Sequence, residues 1–197
     1  MRQTSKINLN LKDAEVLYFP NFFSNREADT CFKNLMAEIE WRQDNITVFG
    51  KTYAQPRLTA FFADNDKPYG YSNIKMRPKP FGGHLLLIKQ ILENELKIKF
   101  TSCLANLYRN GQDSNGWHAD NEKELGLNPI IASVSLGEER IFHLKHKTDK
   151  TLKTKIKLEH GSLLLMKGAT QRNWLHQIPK TKKPIGKRIN LTFRIIA

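Results

Sequence analysis

His118-Ala119-Asp120, with His176 further along the chain, offers two imidazoles and one carboxylate to a single metal ion. Residues i and i+2 of an extended chain point to the same side, so His118 and Asp120 can share an ion. A third ligand from a distant strand completes a two-histidine, one-carboxylate facial triad. That triad leaves coordination positions open, as non-haem iron(II) oxygenases require for a cosubstrate and O₂. The pattern by itself recurs by chance. Taken alone, His118 and Asp120 read equally as loop residues and His176 as a hydrogen-bonded structural histidine. His84, His143, His146 and His160 have no comparable partner.

The C-terminal segment narrows the chemistry. Arg188, Asn190, Thr192 and Arg194 alternate with Ile189, Leu191, Phe193 and Ile195. A strand therefore presents the polar set on one face and the apolar set on the other. Two arginines on an inward face require an anion, because a buried cation is costly without a counter-charge. A dicarboxylate satisfies two guanidinium groups through charge-assisted hydrogen bonds. Six residues of strand span about 20 Å, longer than a small diacid. Either the arginines lean together or only one binds it directly. Asn106 and Tyr108 form a second same-face polar pair, on the strand before the candidate ligands; routine surface positions are the alternative.

The 197 residues fit one domain, and 40% hydrophobic with 26% charged residues excludes wholesale disorder. Thirty-two Lys and Arg against 19 Asp and Glu leave a net charge of +13, which favours a polyanionic partner over a merely solubilising surface. Cys31 and Cys103 make neither a metal-finger spacing nor a disulfide framework, and their apolar neighbours suit a reducing compartment. Neither a signal peptide nor an apolar run of membrane-spanning length is visible. The expectation is a soluble monomer with no membrane association. It would be cytoplasmic in a bacterium, a source with which the Lys-, Asn- and Ile-rich composition is compatible, or nuclear in a eukaryote.

These residues need elements to position them. Residues 1 to about 15 read as a loose lead-in. Ser24 with Glu27 forms a capping-box pattern, and Ala28, Cys31, Phe32, Leu35 and Ile39 recur at helical spacing, predicting a helix over about 25–40. Leu85, Ile88, Leu92 and Leu96 predict a second over about 82–96. Residues 45–81, with Pro56, Pro68, Pro78 and Pro80, read as short strands and loops. Strands follow at 102–108, 130–136, 139–145, 153–159, 162–166 and 187–196. Two helices and then many strands predict an α+β domain around a β-sandwich or jelly roll.

NLYRNGQDSNGWHADNEKELG, IIASVSLGEERIFHLKHK, HGSLLLMKG and RINLTFR together resemble the AlkB family of iron(II)- and 2-oxoglutarate-dependent dioxygenases. The likeness runs from about residue 45 to the C-terminus and is greatest to members that repair alkylated double-stranded DNA. It implies a double-stranded β-helix (jelly roll) core with N-terminal helices, a single domain over 1–197, and a nucleotide-recognition lid at about 45–81. It implies iron held by His118, Asp120 and His176, and 2-oxoglutarate bound through Asn106, Tyr108, Arg188, Asn190, Thr192 and Arg194. Arg188 would take the distal carboxylate and Arg194 would lie near the one beside the iron. The implied reaction hydroxylates an N-linked alkyl group of a base such as 1-methyladenine or 3-methylcytosine, releasing formaldehyde. O₂ is consumed and 2-oxoglutarate becomes succinate and CO₂.

The same resemblance gives the nucleic-acid side. An enzyme acting on a base within a duplex must flip it out. Tyr69-Gly70-Tyr71 matches the substrate-contacting segment, and His118 would face the base from the other side. Asn121 and Glu122 fall where the base edge is read, and a carboxylate at Glu122 suits a cationic lesion. Val48-Phe49-Gly50-Lys51 resembles the finger that wedges a ring into the vacated space; a buried phenylalanine before a tight turn is the alternative. Arg57 would reach a phosphate, and Lys145, His146, Lys147, Lys180, Lys182 and Lys183 would extend the phosphate surface. Two departures stand out: Asn121 replaces an acid, and Tyr71 replaces a phenylalanine. The alternatives are an oxygenase acting on RNA or a protein side chain, and a non-catalytic basic nucleic-acid-binding module.

Overall fold

Ser24 accepts a hydrogen bond from the Glu27 backbone N–H while the Glu27 carboxylate accepts from the Ser24 N–H, closing the capping box that starts the first helix. Such caps stabilise a helix by about 1 kcal/mol. The computed structural model describes residues 5–48, 51–66, 69–71 and 74–196, with the backbone alone at 47, 48, 69–71, 74 and 75.

The chain opens with β1 (Ile7–Asn8), β2 (Glu15–Phe19) and α1 (Asn25–Glu38). Next come β3 (Asn45–Val48), β4 (Lys51–Ala54), β5 (Leu58–Ala63), β6 (Tyr69–Tyr71), β7 (Ile74–Met76) and α2 (Gly83–Leu96). The remainder is β8 (Ser102–Tyr108), β9 (Asn115–His118), β10 (Ile131–Gly137), β11 (Arg140–His146), β12 (Lys153–Leu158) and β13 (Ser162–Lys167), then α3 (Thr170–Asn173), β14 (Trp174–Ile178) and β15 (Arg188–Arg194).

Seven strands form one sheet in the order β1-β2-β13-β10-β15-β8-β5, and four form a second in the order β12-β11-β14-β9. Every pairing in both sheets is antiparallel. Side-chain alternation divides the larger sheet between two cores. On one face Val134, Leu136, Ile189, Leu191, Phe193 and Cys103 pack beneath Leu35 of α1 and Leu85, Ile88 and Leu92 of α2. Truncating one of these leucines to alanine costs about 2–5 kcal/mol. On the other face Tyr18, Tyr108, Ile131 and Met166 meet Phe142, Leu144, Leu158, Trp174 and Ile178 of the smaller sheet. The result is a jelly roll with helices on its outer side, as the sequence predicts. The β10–β11 turn depends on Gly137, at φ +84, where a Cβ would stand 2.5 Å from the Lys187 carbonyl oxygen.

Two segments are more ordered than their composition suggests. Ile7–Asn8, within the stretch read as a lead-in, pairs with Leu17 and Tyr18 of β2. Within 45–81, β3–β4 and β6–β7 are separate hairpins, but β5 is the edge strand of the larger sheet, paired along β8.

Candidate metal and cosubstrate site

The polar face of β15 opens into the space between the sheets. Arg188, Asn190, Thr192 and Arg194 line one small cleft of about 40 Å³ together with Asn106, Tyr108, His118, Asp120 and His176. Strand register explains the assembly, since Arg188 lies opposite Tyr108 and Asn190 opposite Asn106. Across β10, Arg188 Nη2 donates to Ser135 Oγ at 2.9 Å and Asn190 Nδ2 to Ser133 Oγ at 2.8 Å. Thr192 Oγ1 donates to Asn190 Oδ1 at 3.2 Å.

The three metal-ligand candidates converge. β14 pairs with β9 so that His176 lies opposite His118, and their ring centroids are 4.2 Å apart. Asp120 follows just beyond the end of β9, where its backbone N–H donates to Gln171 Oε1 at 2.9 Å. One ligand atom from each of His118, Asp120 and His176 lies within 4.8 Å of the others, and among the described residues no other such group forms. His118 Nδ1 donates to the Gly116 carbonyl oxygen at 2.7 Å. A carbonyl can only accept, so Nε2 keeps its lone pair for a metal. The His176 ring stacks on Phe142, with centroids 5.1 Å apart.

Electrostatics favour the ligating forms. Burial alone would raise the Asp120 carboxyl, but Arg194 at 3.0 Å and the two neighbouring imidazoles hold it at about 2. Burial pushes His176 down to about 3, with His118 adding to the effect, so this ring is neutral near pH 7. Burial likewise lowers His118. Asp120 Oδ1 has no hydrogen-bond partner although it is buried. Two imidazoles and an orphaned carboxylate oxygen are the donor set a divalent transition metal takes.

Arg188 is the unsatisfied cation. Its side chain is buried, its guanidinium lies 5.1 Å from the Tyr108 ring centroid, and neither Nε nor Nη1 has a hydrogen-bond partner. Burial pushes it down to about 10, which leaves it charged at neutral pH. Unpaired N–H donors on a buried guanidinium inside this cleft suit a carboxylate partner. Arg194 is instead committed to Asp120, so the arginine side chains are not equivalent.

A model of the 2OG-Fe(II) oxygenase superfamily matches residues 15–194. Alpha-ketoglutarate-dependent dioxygenase alkB homolog 3 of Bos taurus is 42% identical over 93% of this chain and 66% of its own length. The DNA oxidative demethylase ALKBH2 of Homo sapiens is 35% identical over 88% of the chain and 70% of its own. This chain belongs to the AlkB family. It spans just under two thirds of the length of the homolog 3 proteins. The solved structure of OsALKBH1 superposes with a TM-score of 0.69 at 16% identity, covering 97% of this chain and all of the other, which supports the shared fold. Iron and 2-oxoglutarate are the groups this AlkB-family chain is thereby expected to carry.

The expected nucleic-acid contacts are less concentrated. Asn121 is exposed and Glu122 half-buried directly after Asp120, and neither lines the cleft. Lys51 is exposed on β4, while Phe49 and Gly50 lie outside the described residues. Tyr69, Gly70 and Tyr71 form β6, described by backbone alone. Arg57 differs from its expected phosphate role: it is buried, with Nε donating to Asn106 Oδ1 at 2.8 Å and Nη1 to the Ser114 carbonyl at 3.2 Å. It braces a cleft residue from inside. His146 is also buried, edge-on to Trp174, so it does not extend a phosphate surface. Lys147 is half-buried and donates to the Gln171 carbonyl at 2.9 Å, whereas Lys180, Lys182 and Lys183 are exposed. Sequence reasoning passed over Gln171, Ser133 and Ser135, single polar residues with no spacing signal.

Proposed function

We propose that this chain removes N-linked alkyl groups oxidatively from DNA bases such as 1-methyladenine and 3-methylcytosine. The observation that carries this is the single cleft holding His118, Asp120 and His176 at one end of the β15 face and Arg188, with Nε and Nη1 unpaired, at the other. AlkB-family membership and the relatives named DNA oxidative demethylase supply the reaction class and the nucleic-acid target.

Iron(II), when bound with 2-oxoglutarate and O₂, supplies oxidation of a C–H bond next to nitrogen, coupled to decarboxylation of the cosubstrate. The chain's residues do the rest. His118, Asp120 and His176 would hold the ion. Arg188 takes the distal carboxylate of 2-oxoglutarate, with Tyr108 as a wall. Asn106 is kept in orientation by Arg57 and borders the same site. Arg194 holds Asp120 in its charged, ligating form. Apolar side chains from Phe142, Leu158 and Ile178 shield the cleft from water. The hydroxylated alkyl carbon then leaves as formaldehyde and restores the base.

Duplex DNA is the expected form of the substrate, through the finger around Phe49 and a flipped base met by Tyr69, Tyr71 and Glu122. Incubation with iron(II), 2-oxoglutarate and an oligonucleotide carrying 1-methyladenine, alone or annealed, tests reaction and strand form together. Restored adenine and formaldehyde support the proposal. Their absence under both conditions, or greater activity on single-stranded RNA, counts against it.

A further inference from the structure

The two faces of the smaller sheet differ sharply in character. Its inner face carries the metal-ligand candidates, whereas alternation leaves His143 and Lys145 of β11 and Lys153, Lys155 and Lys157 of β12 outside. Register places Lys145 opposite Lys153 and His143 opposite Lys155. Like charges directly opposite each other weaken a sheet. Lys157 is neutralised by Glu139 at 2.9 Å and Glu159 at 3.3 Å. Among the described residues no carboxylate pairs with Lys145, Lys153 or Lys155. The half of this face around Lys145, Lys153 and Lys155 therefore carries uncompensated positive charge.

Trp117 stands at that half. It immediately precedes His118 on β9, and the residue is 39% exposed. Lys145 Nζ lies 4.2 Å from the ring centroid, and the His143 ring is 6.3 Å away. Trp117, His143, Lys145, Lys153 and Lys155 line one groove of about 500 Å³. An aromatic ring with one ammonium over it and two more, unpaired with carboxylates, along the same groove matches the chemistry of an unpaired strand. Every base has a face that stacks on a ring, and the phosphates beside it need cations. A duplex keeps its base faces stacked internally and meets only the lysines.

We propose that this groove binds single-stranded nucleic acid, with Trp117 stacking on a base and Lys145, Lys153 and Lys155 meeting the adjoining phosphates. The groove is separate from the cleft that holds the metal-ligand candidates, so its use does not depend on an alkylated base.

The test is fluorescence anisotropy of the full chain with labelled, unmodified oligothymidine, oligouridine and a blunt DNA duplex, over a range of salt concentrations. Trp117→Ala should weaken binding of the single strands by about fivefold or more, and Trp117→Tyr should retain most of it. Lys145→Gln/Lys153→Gln/Lys155→Gln should lower the logarithmic salt dependence by about 2, at roughly 0.7 per phosphate. Thermal melting checks that each variant is folded. Loss confined to oligothymidine or to oligouridine assigns the groove to DNA or RNA, and loss on both assigns it to either strand. Unchanged affinity and salt dependence in folded variants, an equal loss on the duplex, or equal loss in Trp117→Tyr and Trp117→Ala would overturn the proposal. The probe carries no lesion and the reading is binding, so a failed dealkylation assay leaves this result intact.

Discussion

Arg194 Nη2 lies 3.0 Å from Asp120 Oδ2, and both side chains are buried. This contact ties the end of β15 to the turn after β9 and gives each charge its counter-charge. Removing one partner of a buried pair costs about 3–5 kcal/mol, because the other is left uncompensated. Arg194→Met should destabilise metal-free protein by roughly that amount. A divalent ion at Asp120 supplies a replacement positive charge, so cobalt(II) should recover part of the loss. Denaturant unfolding with and without cobalt(II) checks this, and equal losses in both states would contradict it.

The histidines give the metal-free protein a particular acid response. Burial holds His176 at about 3 in the folded chain, below the ordinary 6.5. The unfolded chain therefore binds more protons between these values, and stability falls as pH falls. This contribution is complete above about 6.5 and is lost as the pH approaches 3. Asp120, held at about 2 instead of 3.8, adds a second loss only in strong acid. The melting temperature of metal-free protein should drop steadily from neutral pH to about pH 4. His176→Phe should flatten that drop, and an unchanged profile would count against a buried neutral imidazole.

Arg188 has the two free donors, so its substitution should act on the cosubstrate. Arg188→Gln should raise the KM for 2-oxoglutarate by about 10- to 100-fold, in line with hydrogen bonds to a charged group. Arg188→Lys should recover little, since a single ammonium cannot both bond Ser135 and reach the cosubstrate as the planar guanidinium does. Cobalt(II) affinity should stay unchanged in both. A fall in metal affinity with unchanged KM would move Arg188 out of the cosubstrate site.

Asn121 is exposed beside Asp120 and carries no charge. Asn121→Asp should increase kcat/KM for cationic 1-methyladenine relative to a neutral alkylated base. A severalfold change is the expected size for one exposed charge. Competition between two lesions in one oligonucleotide reads the ratio directly, and an unaltered ratio removes Asn121 from base selection.

The sequence displayed β15 clearly because strict alternation over seven residues has one structural meaning, and Arg188 to Arg194 obey it. α1 and α2 were legible for the same reason at helical period. β14 was not. Trp174–Ile178 is short, follows a four-residue helix and mixes apolar and polar residues, so His176 could be assigned only through its likeness to a family pattern. Arg57 misled because its phosphate role came from the likeness of Pro56-Arg57 to the family and not from any local pattern. Its burial comes from Asn106, a partner 49 residues away that no local pattern reveals. Gln171 is the same case, since its bond to Asp120 exists only once β9 and the turn before β14 are brought together.

If the His118–Asp120–His176 group and Arg188 serve oxidative removal of alkyl groups from bases, the reaction itself should be observable. The most direct measurement follows a 1-methyladenine oligonucleotide, single-stranded and annealed, with iron(II), 2-oxoglutarate and O₂. Adenine, formaldehyde and succinate should form in equal amounts, all abolished by His118→Ala or Asp120→Ala. Intact 1-methyladenine in both strand forms, with cobalt(II) binding to the protein verified, would contradict that role.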